Sequence, residues 1–185
     1  SVIRNRLLFA AGDPFDAALL DESERIIRDL GHIFDAEIRP FQVCGSRVDV
    51  EVITRDTWTF FPTVSFSRSG GSNKSDFGIR DASVFGTGKE LLLRRESDDE
   101  RDGYTVILRD PAIFNTWFKG SLVYSDNDDG ELTRLTLGRP FFSLDTQWSF
   151  GLRYHDETRE DSLYFRSDEL AEFEHELRSE EHTSE

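Results

Sequence analysis

Residues 48–71 read VDVEVITRDTWTFFPTVSFSRSGG, and two different strand patterns meet in them. Val48, Val50 and Val52 alternate with Asp49 and Glu51; beyond Trp58, Val64 and Phe66 alternate with Thr63, Ser65 and Ser67. Successive side chains of a strand point to opposite faces, so each half reads as a strand with one apolar and one polar face. Between them sit Trp58, Phe60 and Phe61, followed by Pro62. The chain behaves differently on the two sides of this junction.

Upstream, Ile3, Leu7 and Ala10 or Ala11 fall at helical spacing and stop at Gly12, which predicts a first helix. Asp13 as N-cap, Pro14 at the first helical position and Asp16 in the first turn predict a second. Its stripe is Leu19, Leu20, Ser23, Ile26, Ile27 and Leu30, ending at Gly31. The period then becomes two: Phe34, Ala36 and Ile38 alternate with Asp35, Glu37 and Arg39 ahead of the Val48 strand. Helix, helix, strand, strand makes an α+β layer over residues 1–57, with Leu7, Leu19, Ile26 and Leu30 packed on Ile38, Val48, Val50 and Val52. Two strands make a marginal sheet, so a further strand is expected before Ser1.

Downstream, strand-length segments follow one another with turns between them. Tyr104, Val106 and Leu108 share a face against Thr105, Ile107 and Arg109; Phe118, Gly120, Leu122 and Tyr124 share another. Trp148, Phe150, Leu152 and Tyr154 are set against Gln147, Ser149 and Arg153. The turns are of two kinds that alternate along the chain. FGTGKE, RDPAIFNT and RPFFSLDT carry Gly, Pro and aromatics, whereas ESDDERDG, SDNDDGE and HDETREDS are acidic. In a meander, successive turns lie at opposite ends. The pattern therefore predicts acidic turns at 96–102, 126–131 and 155–161 at one end, opposite compact turns at 86–89, 110–116 and 139–146. Trp58, Phe60, Phe61, Phe114, Trp117, Phe141 and Phe142 fall at the compact end, where a barrel in a membrane carries its interfacial aromatics.

Composition excludes some functions. The 185 residues carry a formal charge of -15, with acidic runs where a nucleic-acid binder would cluster Lys and Arg, so no nucleic acid is expected as a partner. No run reaches the roughly 18 apolar residues of a membrane-spanning helix, a test that a transmembrane β-barrel does not have to meet. The single cysteine, Cys44, has no internal disulfide partner and no metal-ligand neighbours. His32, His155, His175 and His182 share no ligand spacing. The loop from Ser125 has Asn127, Asp129 and Gly130 in EF-hand register, but Ser125 and Thr136 stand where acidic ligands belong, and strands flank it. Asp129-Gly130 makes it a hairpin tip, with weak divalent-cation binding as the alternative. No nucleophile elbow, P-loop or catalytic set can be placed, so the chain is read as no enzyme, with no cofactor and no metal.

The words AAGDPFDAALLDESERIIRDLGHIFDAEI and VDVEVITRDTWTFFPTVSFSRSGG, followed by FGIRDASVFGTGKEL, LRDPAIF, YSDNDDG and GRPFFSLDTQWSFGLRYHDE, resemble the BamA/TamA family of outer membrane proteins, the bacterial surface antigen group. The resemblance runs to about Leu177. It implies a last POTRA (polypeptide-transport-associated) repeat, incomplete at its N-terminus, at 1–57 and the first half of an antiparallel transmembrane β-barrel meander at 58–177. It also implies a factor of the bacterial outer membrane, with the N-terminal module in the periplasm, that inserts β-barrel proteins or moves polypeptides. Outer-membrane lipid, unfolded barrel or secreted polypeptide clients and periplasmic accessory proteins are the partners it implies.

Clients would add as strands to the edge formed by Phe34, Asp35, Ala36, Glu37, Ile38 and Arg39, and to the first barrel strand, about Thr59–Arg68, at Val64, Ser65, Phe66 and Ser67. The Arg-Gly-Phe-like word of the family's second barrel half has no counterpart. A passive outer-membrane pore and a soluble β-rich binding domain are the alternative functions, with a hydrolase barrel behind them. The last eight residues, RSEEHTSE at 178–185, resemble an in-frame translation of a sequencing adapter and are set outside the fold. With eight or nine barrel strands where the family has about twice as many, and with large polar groups such as Arg109, Lys119, Gln147 and Arg153 facing inward, the sheet is expected to stay open and to aggregate when isolated.

Overall fold

The computed structural model describes residues 2–69, 72–98, 102–165 and 168–184. Its first 56 residues hold one α-helix, α1 (Ala17–Arg28), against a hairpin of β1 (Ile33–Cys44) and β2 (Arg47–Asp56). The expected first helix is only a single 3₁₀ turn at Arg4–Arg6. Two contacts explain why it does not continue. The Leu8 N–H donates to Ser23 Oγ at 2.9 Å, and Asp13 Oδ2 accepts from Ala10 N–H at 2.8 Å, closing a turn over 10–13. Asp13 is thus spent on that turn, and Asp16 is the N-cap, accepting from Ala18 N–H at 2.9 Å. Pro14 contributes to the same outcome by disfavouring helical backbone at Asp13.

The register of α1 is set one position away from the expected packing. Its core face presents Leu20 and Ile27, with Leu30 beyond its end, to Ile33, Ala36 and Ile38; Leu7, Val50 and Val52 lie at the margin of this cluster. Leu19 and Val48 lie outside it and are only half-buried, while Ile26 faces a different neighbour, described below. Ile27 is fully buried at 0 % exposure. Ile27→Ala is therefore expected to cost about 2–5 kcal/mol, and Leu19→Ala clearly less, in urea titrations followed by the helical far-ultraviolet signal.

β1 and β2 pair antiparallel from Ile33↔Asp56 to Cys44↔Arg47, as expected. The second sheet has eight strands: β3 (Phe60–Ser69), β4 (Ser72–Asp81), β5 (Glu90–Ser97), β6 (Asp102–Asp110), β7 (Lys119–Asn127), β8 (Gly130–Arg139), β9 (Phe150–Phe165) and β10 (Asp168–Ser184). Each pairs antiparallel with the next in the order β3 to β10. Among the described residues β3 pairs only with β4 and β10 only with β9, so the sheet is open, as the strand count predicts.

The turns at 96–102 and 126–131 lie together at one end and the three compact turns at the other. Residues 99–101 of the first lie outside the described residues. The third acidic run corrects the expectation. Residues 155–161 form no turn; they continue β9, pairing with β10 throughout and with β8 as far as Gly130↔Arg159. Alternating charged side chains are compatible with a strand, and HDETRED lacks the Asn-Gly or Asp-Gly pair that favours a tight hairpin turn. Residues 178–184, set aside in the sequence reading, are the end of β10 and pair with 150–156.

Loop 126–131 is a hairpin tip, but its two central residues are Asp128 and Asp129. Asn127 pairs with Gly130. Gly130 has φ 147°, and a Cβ there would come within 2.0 Å of the Thr158 carbonyl oxygen, so close packing of β8 on β9 requires the glycine.

Cross-strand pairing places Val64, Phe66, Phe77, Ile79, Leu91, Leu93, Val106, Leu108, Leu122, Tyr124, Leu135, Leu137, Leu152 and Tyr154 on one face. Many are bare: Phe66 is 80 % exposed and Val64 57 %. The opposite face is cross-linked by charge. Glu90 on β5 accepts from Arg80 Nε at 3.1 Å and from Arg109 Nη1 at 2.5 Å, and Arg94 Nη2 meets Asp76 at 2.5 Å. The apolar face ends at β9. On β10 the matching positions are Glu174, Glu176, Arg178, Glu180 and His182.

Candidate functional site

The two edges named from the sequence lie in different sheets and do not pair with each other. On β1, Ala36 and Ile38 are buried against α1, Phe34 is exposed with Arg55 over its ring at 5.9 Å, and Arg39 pairs with Glu37 and Glu51. Asp35 meets Arg28 at 3.5 Å. The edge itself is partly occupied. The Ile38 N–H donates to Glu24 Oε2 of α1 at 2.8 Å, in the place where an incoming strand's carbonyl would sit. Glu24 is held there by Arg28, whose Nη2 lies 2.6 Å from its other oxygen.

The β3 edge is different. The Thr59 carbonyl accepts from Ala82 N–H at 2.8 Å, and the ladder alternates from that point. Phe61, Thr63, Ser65 and Ser67 therefore turn their backbone groups to β4, while Phe60, Pro62, Val64, Phe66 and Arg68 turn theirs away. Proline belongs on this side of an edge strand, because its missing N–H costs no ladder bond. The carbonyl of Phe60 accepts from the Trp58 indole. What remains open is a run from Pro62 to Arg68, offering the N–H groups of Val64, Phe66 and Arg68. Val64 and Phe66 also carry apolar side chains onto the apolar face, while Ser65 and Ser67 lie on the polar one. Alternation in the sequence finds the strand and its faces; which backbone groups are free follows only from the pairing.

Between the two sheets lies a joint that the sequence reading did not anticipate. Arg6 is 3 % exposed and donates from Nη2 to the Pro111 carbonyl at 2.5 Å. Its guanidinium lies 4.7 Å from the Trp117 ring, Trp117 stacks on Phe142 at 3.9 Å, and Arg139 covers Phe142 at 4.7 Å and Trp148 at 3.8 Å. Arg25 of α1 adds a bond to the Phe142 carbonyl at 3.3 Å, and Ile26 packs into this group. Burial holds the Arg6 guanidinium below the usual arginine range, partly offset by the Asp110 carboxylate. Trp117 and Phe142 thus serve the joint, while Trp58, Phe60, Phe61, Phe114 and Phe141 remain exposed at the compact end. Arg6→Ala is expected to loosen the joint by about 1–2 kcal/mol, with faster proteolysis at 57–59, and Arg6→Lys to restore only part of it, because an ammonium stacks poorly on indole.

No protein-family profile and no curated protein matches the chain in sequence. Among solved structures, the crystal structure of BamA from Haemophilus ducreyi lacking POTRA domains 1-3 is similar, with a TM-score of 0.57 and 13 % sequence identity. The alignment covers 98 % of this chain, the N-terminal layer as well as the sheet, and 40 % of that one. What is shared is a fold: the small α/β layer and the run of antiparallel strands of this chain align within a longer one.

Proposed function

We propose that the chain is part of a bacterial outer-membrane protein that inserts or translocates other polypeptides, holding an extended client along the free edge of β3. The apolar face would meet outer-membrane lipid, the charged face would line a wet lumen, and the N-terminal layer would be periplasmic, as in a POTRA repeat. The observation that carries this reading is the open stretch Pro62–Arg68, where the outward backbone groups of Pro62, Val64, Phe66 and Arg68 have no strand partner among the described residues, beside a sheet with one apolar face. An extended peptide can pair there as a new strand. The fold shared with BamA and the resemblance of the quoted words support the same reading. The β1 edge is the weaker client site, since Glu24 already fills one of its positions.

Disulfide trapping tests it. With Cys44 replaced by Ser, single cysteines at 62–68 are paired with a scan of cysteines along a client barrel strand, in vesicles. Trapping that follows one antiparallel register supports strand addition. Leakage of small solutes without trapping would favour the passive pore, and failure to associate with vesicles would favour the soluble domain.

A further inference from the structure

Two of the compact turns are copies of one another. DASVFGT at 81–87 and DPAIFNT at 110–116 align position by position, and they share the bonds of their Asp and Thr side chains and of their tip backbone. Asp81 and Asp110 each accept from the N–H two residues on at 2.9 Å; Thr87 and Thr116 each donate from Oγ1 to the carbonyl three residues back at 2.7 Å. At each tip two successive residues have positive φ: Phe85 and Gly86 at 52° and 71°, Phe114 and Asn115 at 51° and 60°. Such a tip favours Asn or Gly at both positions, and here the second position complies. The first is phenylalanine in both turns, where a bulky residue is strained. Neither ring is covered by the described residues, since Phe85 is 97 % and Phe114 93 % exposed. In the third compact turn Leu144 is also 93 % exposed.

The surroundings indicate what covers the rings. Phe85 borders a groove with Leu91, Leu108, Leu122 and Leu135, all members of the apolar face. Ile113 of the second turn packs over Gly120 on that face, where a Cβ would come within 2.7 Å of its Cδ1. Phe85 and Ile113 therefore extend the apolar face past the strand ends, while Phe114 stands at the mouth of a groove shared with Val2, Ile3 and His32 of the N-terminal layer. An amphipathic boundary of this kind, continuous with an apolar band, matches the level where acyl chains give way to headgroups.

We propose that the repeated turns are bilayer anchors, with Phe85 and Phe114 inserted at the headgroup boundary of the leaflet nearest the N-terminal layer and an acyl chain lying in the groove beside Phe85. This rests on the membrane reading above, and the test separates the two. The full chain, with Cys44 replaced by Ser, carries an environment-sensitive fluorophore on a single cysteine at 85, 114, 108 or 128. Each is reconstituted in phosphatidylcholine vesicles holding lipid with a nitroxide near the headgroup or deep in the acyl chain. Positions 85 and 114 should be quenched several-fold more by the shallow nitroxide than by the deep one, and 128 by neither.

Quenching at 108 but not at 85 and 114 would overturn the anchors and leave the membrane reading standing; quenching at none would overturn both. Phe85→Gly with Phe114→Gly gives a second readout, because glycine relieves the backbone strain and leaves the turn intact. Burying a phenylalanine is worth about tenfold or more in partitioning, so the double variant should bind these vesicles at least tenfold more weakly. Unchanged binding would overturn the proposal.

Discussion

Val64→Pro combined with Phe66→Pro is expected to abolish strand addition at β3 while leaving the β3–β4 hairpin folded. Both N–H groups point away from β4, on the side where Pro62 already sits, so neither substitution removes a ladder bond. An incoming strand would find two of its carbonyls unmatched. At about 1–3 kcal/mol for each buried group left unpaired, client affinity should fall by roughly 30-fold or more. Val64→Ala with Phe66→Ala removes the side chains and keeps the donors, and should lose far less. Ser65→Pro is the opposite control: Ser65 bonds Asp76 across the ladder, so it should unfold the hairpin rather than spare it. If the double proline variant still traps client strands at the wild-type level, the β3 edge is not where clients bind.

The contrast between Val64 and Ser65 shows what the sequence could and could not convey. Alternation tells which side chains share a face, because the period of a strand is fixed by covalent geometry, and it places Val64 and Phe66 together correctly. It is silent on which backbone groups are spent, since that depends on which neighbour is present. The same limit explains the N-terminal layer. Ile3, Leu7 and Ala10 have helical spacing, but Ser23, 15 residues further along the chain, takes the Leu8 N–H that a helix would need. Asp13 and Asp16 are both sound caps in isolation, and only the Ala10–Asp13 turn decides between them.

The HDETRED run failed for the converse reason. Its acidic composition predicts a turn, whereas the run continues β9, paired with β10 along its whole length. The Arg6–Trp117–Phe142 joint was not legible at all, because it unites residues more than a hundred positions apart. The twin turns were legible as a repeat, and the signal that would have found them is the recurrence of Asp, Phe and Thr at identical offsets.

Arginine at Leu122 and arginine at Val123 should have opposite fates, although the two residues are adjacent. Leu122 lies mid-strand on the apolar face, paired with Leu108 and Leu135; Val123 lies on the polar face, paired with Ile107 and Arg134. In a bilayer, Leu122→Arg would place a charge near the middle of the apolar band, costing about 2–4 kcal/mol, while Leu122→Glu should cost somewhat less. At position 123 the side chain meets water and neighbouring charges. Val123→Arg should stay within about 1 kcal/mol of the parent, and Val123→Glu should do better still, because Arg134 stands directly across the ladder. Urea titrations of the chain in dilauroylphosphatidylcholine vesicles measure all four. Equal losses at 122 and 123 would mean that the two faces meet the same solvent. That outcome would remove the basis for placing lipid against one face and water against the other, and with it the membrane reading, whatever the shared fold.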